Sequence, residues 1–236
     1  MELLEGAHIV MVTAGCNHSA ASTSEGELLT WVDGQSGQLG HGDWEVRTMP
    51  AKLGRRMFGR CSVTMVSCGD FHTMVVMEAG RLFTLGYGVH CQLGHCNRNS
   101  QDVPMEVGAA RFRGARIVYA AAGYFHSGVV TLEGRVWTWG HAEFGRLGHN
   151  DEHFRLVLKE VEGELGGGKA VMLAAGYAHT MVVTHDVGLR PWTPRPAGCG
   201  QQGKQADSGT GGDGGGLRAV GGADGRVRQF SHDSCD

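Results

Sequence analysis

The densest set of metal-ligating side chains in the sequence is the word HCQLGHC, which puts His90, Cys91, His95 and Cys96 inside seven residues. Imidazole and thiolate are the ligands that zinc takes. The spacing argues against a site, because no separated CxxC or HxxxH pair stands elsewhere to complete a tetrahedral set. A second set is more regular. His18, His72, His126 and His179 each follow a glycine by three residues, in the words AGCNHS, CGDFHT, AGYFHS and AGYAHT. A histidine could act there as base, acid or ligand. Four copies in one constant frame instead predict a shared structural part, a buried imidazole hydrogen-bonded to a neighbouring strand. There is no GxSxG elbow, phosphate loop or HExxH pair. The run Gly211–Gly216 is low complexity with no strand and helix to frame it. The expectation is no catalytic residue, no cofactor and no metal.

The elements that position these histidines repeat with them. The glycines Gly15, Gly69, Gly123 and Gly176 are spaced by 54, 54 and 53 residues. Further glycines recur at fixed offsets: Gly26, Gly80 and Gly134 open the words GELLTW, GRLFTL and GRVWTW, while Gly40, Gly94 and Gly148 close QLGH, QLGH and RLGH. His95 therefore aligns with His41 and His149 and belongs to the repeat. Pro50 and Pro104 recur as well, with Leu158 in their place in the third unit.

Each unit holds four short runs rich in Val, Leu, Thr and aromatics, separated by Gly, Asp, Asn or His. In the third unit these are residues 116–121, 127–132, 135–139 and 154–161. None is long enough, or periodic enough, for a helix. Consecutive apolar positions, as in MVVM (Met74–Met77) and MVVT (Met181–Thr184), predict strands covered on both faces. Four strands at a period near 54 residues predict an all-β fold, a β-propeller whose units are four-stranded blades.

The repeats run over about 9–62, 63–116 and 117–169, with a partial fourth over 170–192, so about three and a third blades are expected. Pro191, Pro194 and Pro196 lack the donor of a central strand and predict that strand structure ends there. A Gly/Pro-rich stretch over 193–216 reads as a disordered linker. Residues 217–236 carry GGADGRVRQF, a short degenerate echo of the repeat. Leaving blade faces uncovered would forgo on the order of 10 kcal/mol. The chain is therefore expected to belong to a longer propeller or to associate with a further propeller segment.

The formal net charge of −3 argues against a nucleic-acid or acidic-membrane partner. No apolar run approaches the roughly 18 residues of a membrane span. The N-terminus has no secretory pattern, and the seven cysteines show no regular pairing. Cytoplasm or nucleus is the expected location. The basic words GRRMFGR (Gly54–Arg60) and RFRGAR (Arg111–Arg116) read as solvated connections between blades.

The AGxxHS/T, GxLxxW and GQLGH words together resemble the repeat of the regulator of chromosome condensation family, over about residues 9 to 192. The resemblance implies a propeller that closes with seven blades. It implies a protein partner, which in that family includes the small GTPase Ran and, for HERC-type ubiquitin ligases, the ubiquitin pathway. Ultraviolet-B receptors of the family place Trp and then Arg directly after the repeat glycine. Those positions here are Cys16-Asn17, Asp70-Phe71, Tyr124-Phe125 and Tyr177-Ala178, so photoreception is not expected. The repeat spacing leaves no room for the inserted hairpin that assists nucleotide exchange. A non-catalytic protein-binding propeller is the first expectation and a guanine-nucleotide exchange factor the alternative; a truncated fragment without function of its own is a third. Binding is expected in the loops where the copies differ: 35–36, 43–48, 89–90, 97–102 and 151–155, and above all Tyr124, Phe125, His141, Glu143 and Phe144.

Overall fold

In the computed structural model, residues 7–162, 168–185 and 188–192 are described. The linker and tail expected over 193–236 lie outside them. The fold is a partial β-propeller of antiparallel sheets, each a simple meander. The first sheet is β1 (Ile9–Ala14), β2 (His18–Thr23), β3 (Leu28–Val32) and β4 (Arg47–Leu53). The second is β5 (Val63–Cys68), β6 (His72–Met77), β7 (Leu82–Gly86) and β8 (Gln101–Val107). The third is β9 (Ile117–Ala122), β10 (His126–Thr131), β11 (Val136–Gly140) and β12 (Arg155–Glu160). The fourth has three described strands, β13 (Ala170–Ala175), β14 (Thr180–Thr184) and β15 (Gly188–Trp192).

The first strands of successive sheets, β1, β5, β9 and β13, lie beside one another along one edge. Every residue of β6, β7, β10 and β11 is buried, because both faces of these strands are covered. Apolar cores fill each interface between neighbouring sheets. Leu28 and Leu53 meet Val66 and Phe83, Met74 and Val76 meet Val129 and Trp139, and Val130 meets Leu173 and Val182. Stacking two such faces removes apolar surface at about 25 cal/mol per Å².

Two sequence expectations change here. The basic connections are not simply solvated. Each forms a short 3-10 turn, Arg55–Phe58 and Ala109–Phe112, that buries its phenylalanine, with Arg55 and Arg56 exposed and Arg111 half-buried. Phe58 sits edge-on to Phe83 at 5.3 Å and Phe112 edge-on to Trp137 at 5.9 Å, so these turns pin one sheet to the next. Strand structure also continues through Pro191, which pairs with Met181 in β15. In β10 the bonds from Thr131 N to Arg135 O and from His141 N to Phe125 O set which pairs exchange hydrogen bonds. The same phase in β14 makes Met181–Pro191 a non-hydrogen-bonded pair. The proline nitrogen then points away from β14, so the pairing with β14 loses no bond.

Candidate functional site

The repeat histidines meet the following sheet at each joint. His18 Nε2 lies 2.8 Å from Thr73 Oγ1, His72 Nε2 2.8 Å from Ser127 Oγ, and His126 Nε2 3.0 Å from Thr180 Oγ1. Each hydroxyl in turn donates back to a carbonyl of the preceding sheet's turn. Thr73 donates to Gln38 O, Ser127 to Gln92 O and Thr180 to Arg146 O, at 2.8, 2.7 and 2.7 Å. A hydroxyl has one proton to give, so it accepts from the imidazole, and the hydrogen sits on Nε2. Burial holds these rings neutral, with His18 lowered to about 4 and His72 and His126 to about 3. The glycine before each histidine lets the backbones touch, since a Cβ on Gly69 would collide with Gly123 O.

A second relay lies within each sheet. Thr30, Thr84 and Thr138 donate to Leu39 O, Leu93 O and Leu147 O, and accept from His41, His95 and His149. His95 is thereby committed to Thr84 at 2.9 Å. Cys91 is buried and Cys96 contacts Arg111. Among the described residues no group of three or more His, Cys, Asp or Glu could hold a metal ion.

What the joints leave on the surface is an aromatic face at one end of the sheets. It is built by the bends that precede β6, β10 and β14 and by the connections after β7 and β11. Backbone bonds of 2.9 Å from Tyr87 N to Phe71 O and from His141 N to Phe125 O lock each connection to its bend. Phe125 sits 5.5 Å from Phe71, 4.0 Å from His90 and 3.8 Å from Tyr124. Tyr124 stacks on Tyr177 at 4.2 Å, and His141 meets Phe154 edge-on at 4.3 Å. Tyr87 completes the band against Phe71 at 6.1 Å and Phe125 at 6.0 Å. Tyr124, Phe125 and His141, expected from sequence, are thus one surface. Glu143 and Phe144 stand at its rim, exposed, beside Arg146.

His90 and Phe154 come from the loops 89–90 and 151–155 expected to bind, while Phe71, Tyr87 and Tyr177 join the surface without having been singled out for binding. Phe71 and Tyr177 had a visible signal, since they occupy the same two offsets as Phe125 and Tyr124. Arg146 is the other residue missed. It replaces the glutamine of the two earlier QLGH words, and its buried guanidinium donates to Glu143 O at 2.8 Å and Tyr177 O at 3.0 Å. It also lies 5.7 Å from the Phe144 ring and 5.9 Å from that of Tyr177. Burial and the Arg146 charge push His141 below its ordinary value; burial and then His141, Arg98 and Arg146 do the same to His90. The face therefore offers ring surfaces, two neutral imidazoles and one stapled cation, which suits binding and holds no activated nucleophile.

The glycine ending the third strand, Gly86 or Gly140, has φ of 107° or 103° and leaves room for the bend carbonyl. Val32 occupies the equivalent place in the first sheet with φ of 82°. A β-branched residue in the left-handed region is strained. Val32→Gly is expected to raise stability by about 1 kcal/mol, seen as a higher thermal midpoint; an unchanged or lower midpoint would show that the valine methyls contribute more than the strain costs.

Comparisons with known proteins follow the same architecture. Residues 25–76, 79–130 and 133–183 match the family model described as "Regulator of chromosome condensation (RCC1) repeat". The ultraviolet-B receptor UVR8 of Arabidopsis thaliana is 33% identical over 192 residues, covering 81% of this chain and 42% of the receptor. The E3 ubiquitin-protein ligase HERC2 of Homo sapiens is 35% identical over 195 residues, which are 81% of this chain and 4% of the ligase. Among solved structures, Prp20p of Saccharomyces cerevisiae, a protein whose crystal structure was described with its binding to Gsp1p and histones, aligns at a TM-score of 0.66 and 20% identity. That alignment covers 74% of this chain and 43% of Prp20p. The chain spans less than half the length of each of these relatives.

Proposed function

Because the chain belongs to the regulator of chromosome condensation (RCC1) repeat family, we propose that it is a non-catalytic protein-binding propeller whose partner docks on the aromatic face around Tyr124, Phe125 and His141. The observation that carries this reading is the continuity of the band, from Phe71 through Phe125 to Tyr177 and Phe154, across three sheets. Aromatic rings with an arginine at their edge are the composition of interface hot spots. A rigid scaffold carrying variable loops is how a repeat fold chooses a partner. The partner is a small GTPase or a component of the ubiquitin pathway, met in cytoplasm or nucleus; Prp20p with Gsp1p and the ligase HERC2 support that range. Glu143 and Phe144 would form the rim of the contact.

The test is affinity measurement against a panel of small GTPases and ubiquitin-conjugating proteins. Tyr177→Ala truncates an exposed ring and is expected to weaken the partner's binding about tenfold with no change in melting. Full affinity in Tyr177→Ala and in Tyr124→Ala would place the contact elsewhere. Nucleotide exchange is the second reading, favoured by the fold shared with Prp20p. In a nucleotide-release assay across the same GTPases, binding without acceleration is expected. Acceleration lost on substituting the aromatic face would make the exchange reading the correct one.

A further inference from the structure

Arg146 stands where the two earlier copies carry Gln38 and Gln92. Those glutamines are buried and neutral, and each accepts from an amide of its own turn, Ser36 N at 2.8 Å and His90 N at 3.0 Å. The third copy puts a cation in the same place, 2% exposed. Two of its nitrogens are committed, Nε to Glu143 O and Nη1 to Tyr177 O. Its Nη2 faces Glu143 Oε2 at 3.7 Å, beyond hydrogen-bond range. The same oxygen is 3.9 Å from His141 Nε2. His141 Nδ1 accepts from Glu143 N at 3.3 Å, so in the neutral ring the hydrogen sits on Nε2. Two donors thus converge on one carboxylate oxygen at distances that bond neither.

A buried guanidinium is costly unless its donors are bonded to a counter-charge. Burial weakens the hold of Arg146 on its proton, and Glu143 comes first among the groups that oppose this. Glu143 is nevertheless 55% exposed, a side chain that can turn away into water. The site lies inside the array, between His90 of the second sheet, 5.3 Å from the His141 ring, and the bend before β14 that carries Tyr177. His90 itself feels the charges of Arg98 and Arg146, so the field at this part of the face is positive. We infer that the partner of the aromatic face presents an acidic side chain, whose carboxylate displaces Glu143 and accepts from Arg146 Nη2 and His141 Nε2 together. The inference rests on the docking reading above and adds the chemistry of the partner. Glu143 is then a placeholder, held close to both donors without bonding either. An incoming carboxylate gains charge-assisted bonds about twice as strong as neutral ones, while the neighbouring rings take the apolar side chains beside it.

The experiment is an NMR titration of the full chain with two capped hexapeptides of alternating Leu, Phe and acidic residues, identical except that Gln replaces every Glu in the second. The acidic peptide is expected to bind about tenfold more tightly than the neutral one. Glu143→Gln removes the competing charge and should strengthen binding of the acidic peptide about threefold, a gain that mere damage to the connection would not give. Arg146→Gln restores the residue of the other copies and should bring the acidic peptide down to the affinity of the neutral one. Should that variant fail to fold, Glu143→Gln decides alone. Equal binding of the two peptides, binding of neither, or no gain in Glu143→Gln overturns the inference. Equal binding that is lost in Tyr124→Ala would leave the docking reading standing without it. An acidic preference that survives Tyr124→Ala and is lost in Arg146→Gln would instead keep the carboxylate contact and remove the aromatic docking reading.

Discussion

Between pH 7 and pH 5 the three joint histidines alone are expected to withdraw roughly 6 kcal/mol of stability, about 2 kcal/mol each. In the unfolded chain an imidazole takes its proton near its ordinary value of 6.5. In the folded protein His18 stays neutral down to about 4, and His72 and His126 down to about 3, first because burial penalises the cation. The unfolded state therefore binds more protons throughout that window. The histidine contribution is fully present above pH 6.5 and is lost as pH falls towards the folded values. A marginally stable domain holds only about 5–15 kcal/mol in all. Urea unfolding at pH 7, 6 and 5 reads the effect directly. His72→Gln keeps a side-chain donor for Ser127 without a titrating group, and should remove about 2 kcal/mol of the loss between pH 7 and pH 5. A slope that is flat, or unchanged by that substitution, would show that the rings are not buried as neutral donors.

Gly69→Ala is expected to cost about 3 kcal/mol, near the upper end of overpacking penalties. The added methyl would meet Gly123 O, and lie 2.9 Å from His72 Cε1 and 3.0 Å from Ala122 Cβ. Two of these belong to the next sheet and one to the ring that crosses the joint, so no flexible side chain can yield. Two other glycines separate packing from backbone conformation. Gly114, at φ of 77° with no atom near a Cβ, should lose about 1 kcal/mol on substitution by alanine through conformation alone. Gly54 has neither constraint and should be neutral or slightly stabilised. Thermal denaturation of the three variants gives the order, and a Gly69→Ala midpoint no lower than that of Gly114→Ala would refute the close-approach argument.

The architecture was legible because the signal repeats. A glycine and a histidine returning every 54 residues, with apolar runs at constant offsets, leave little choice beyond stacked four-stranded sheets. The partner of each histidine was not legible, although it is written beside it. Thr73 follows His72, but it serves His18 from the repeat before, and only the stacking of sheets brings the two together. The aromatic face was half visible for a related reason. Tyr124, Phe125 and His141 stood out within one copy, and His90 and Phe154 fell in loops where the copies differ, whereas Tyr87, at the repeat offset of His141, shows its place only once the sheets are stacked. Pro191 misled for a local reason. Proline forbids a donor, yet only alternate residues of a strand need one towards a given neighbour, and Met181–Pro191 falls on the other phase.

The matched repeats 25–76, 79–130 and 133–183 begin in the middle of one sheet and end in the middle of the next. Each thereby contains a complete stitch between neighbours: Thr73 to Gln38 O in the first, Ser127 to Gln92 O in the second, Thr180 to Arg146 O in the third. A gene duplication that copied one such unit would deliver a new sheet already fastened to its predecessor, and a deletion would remove a sheet together with its own fastening.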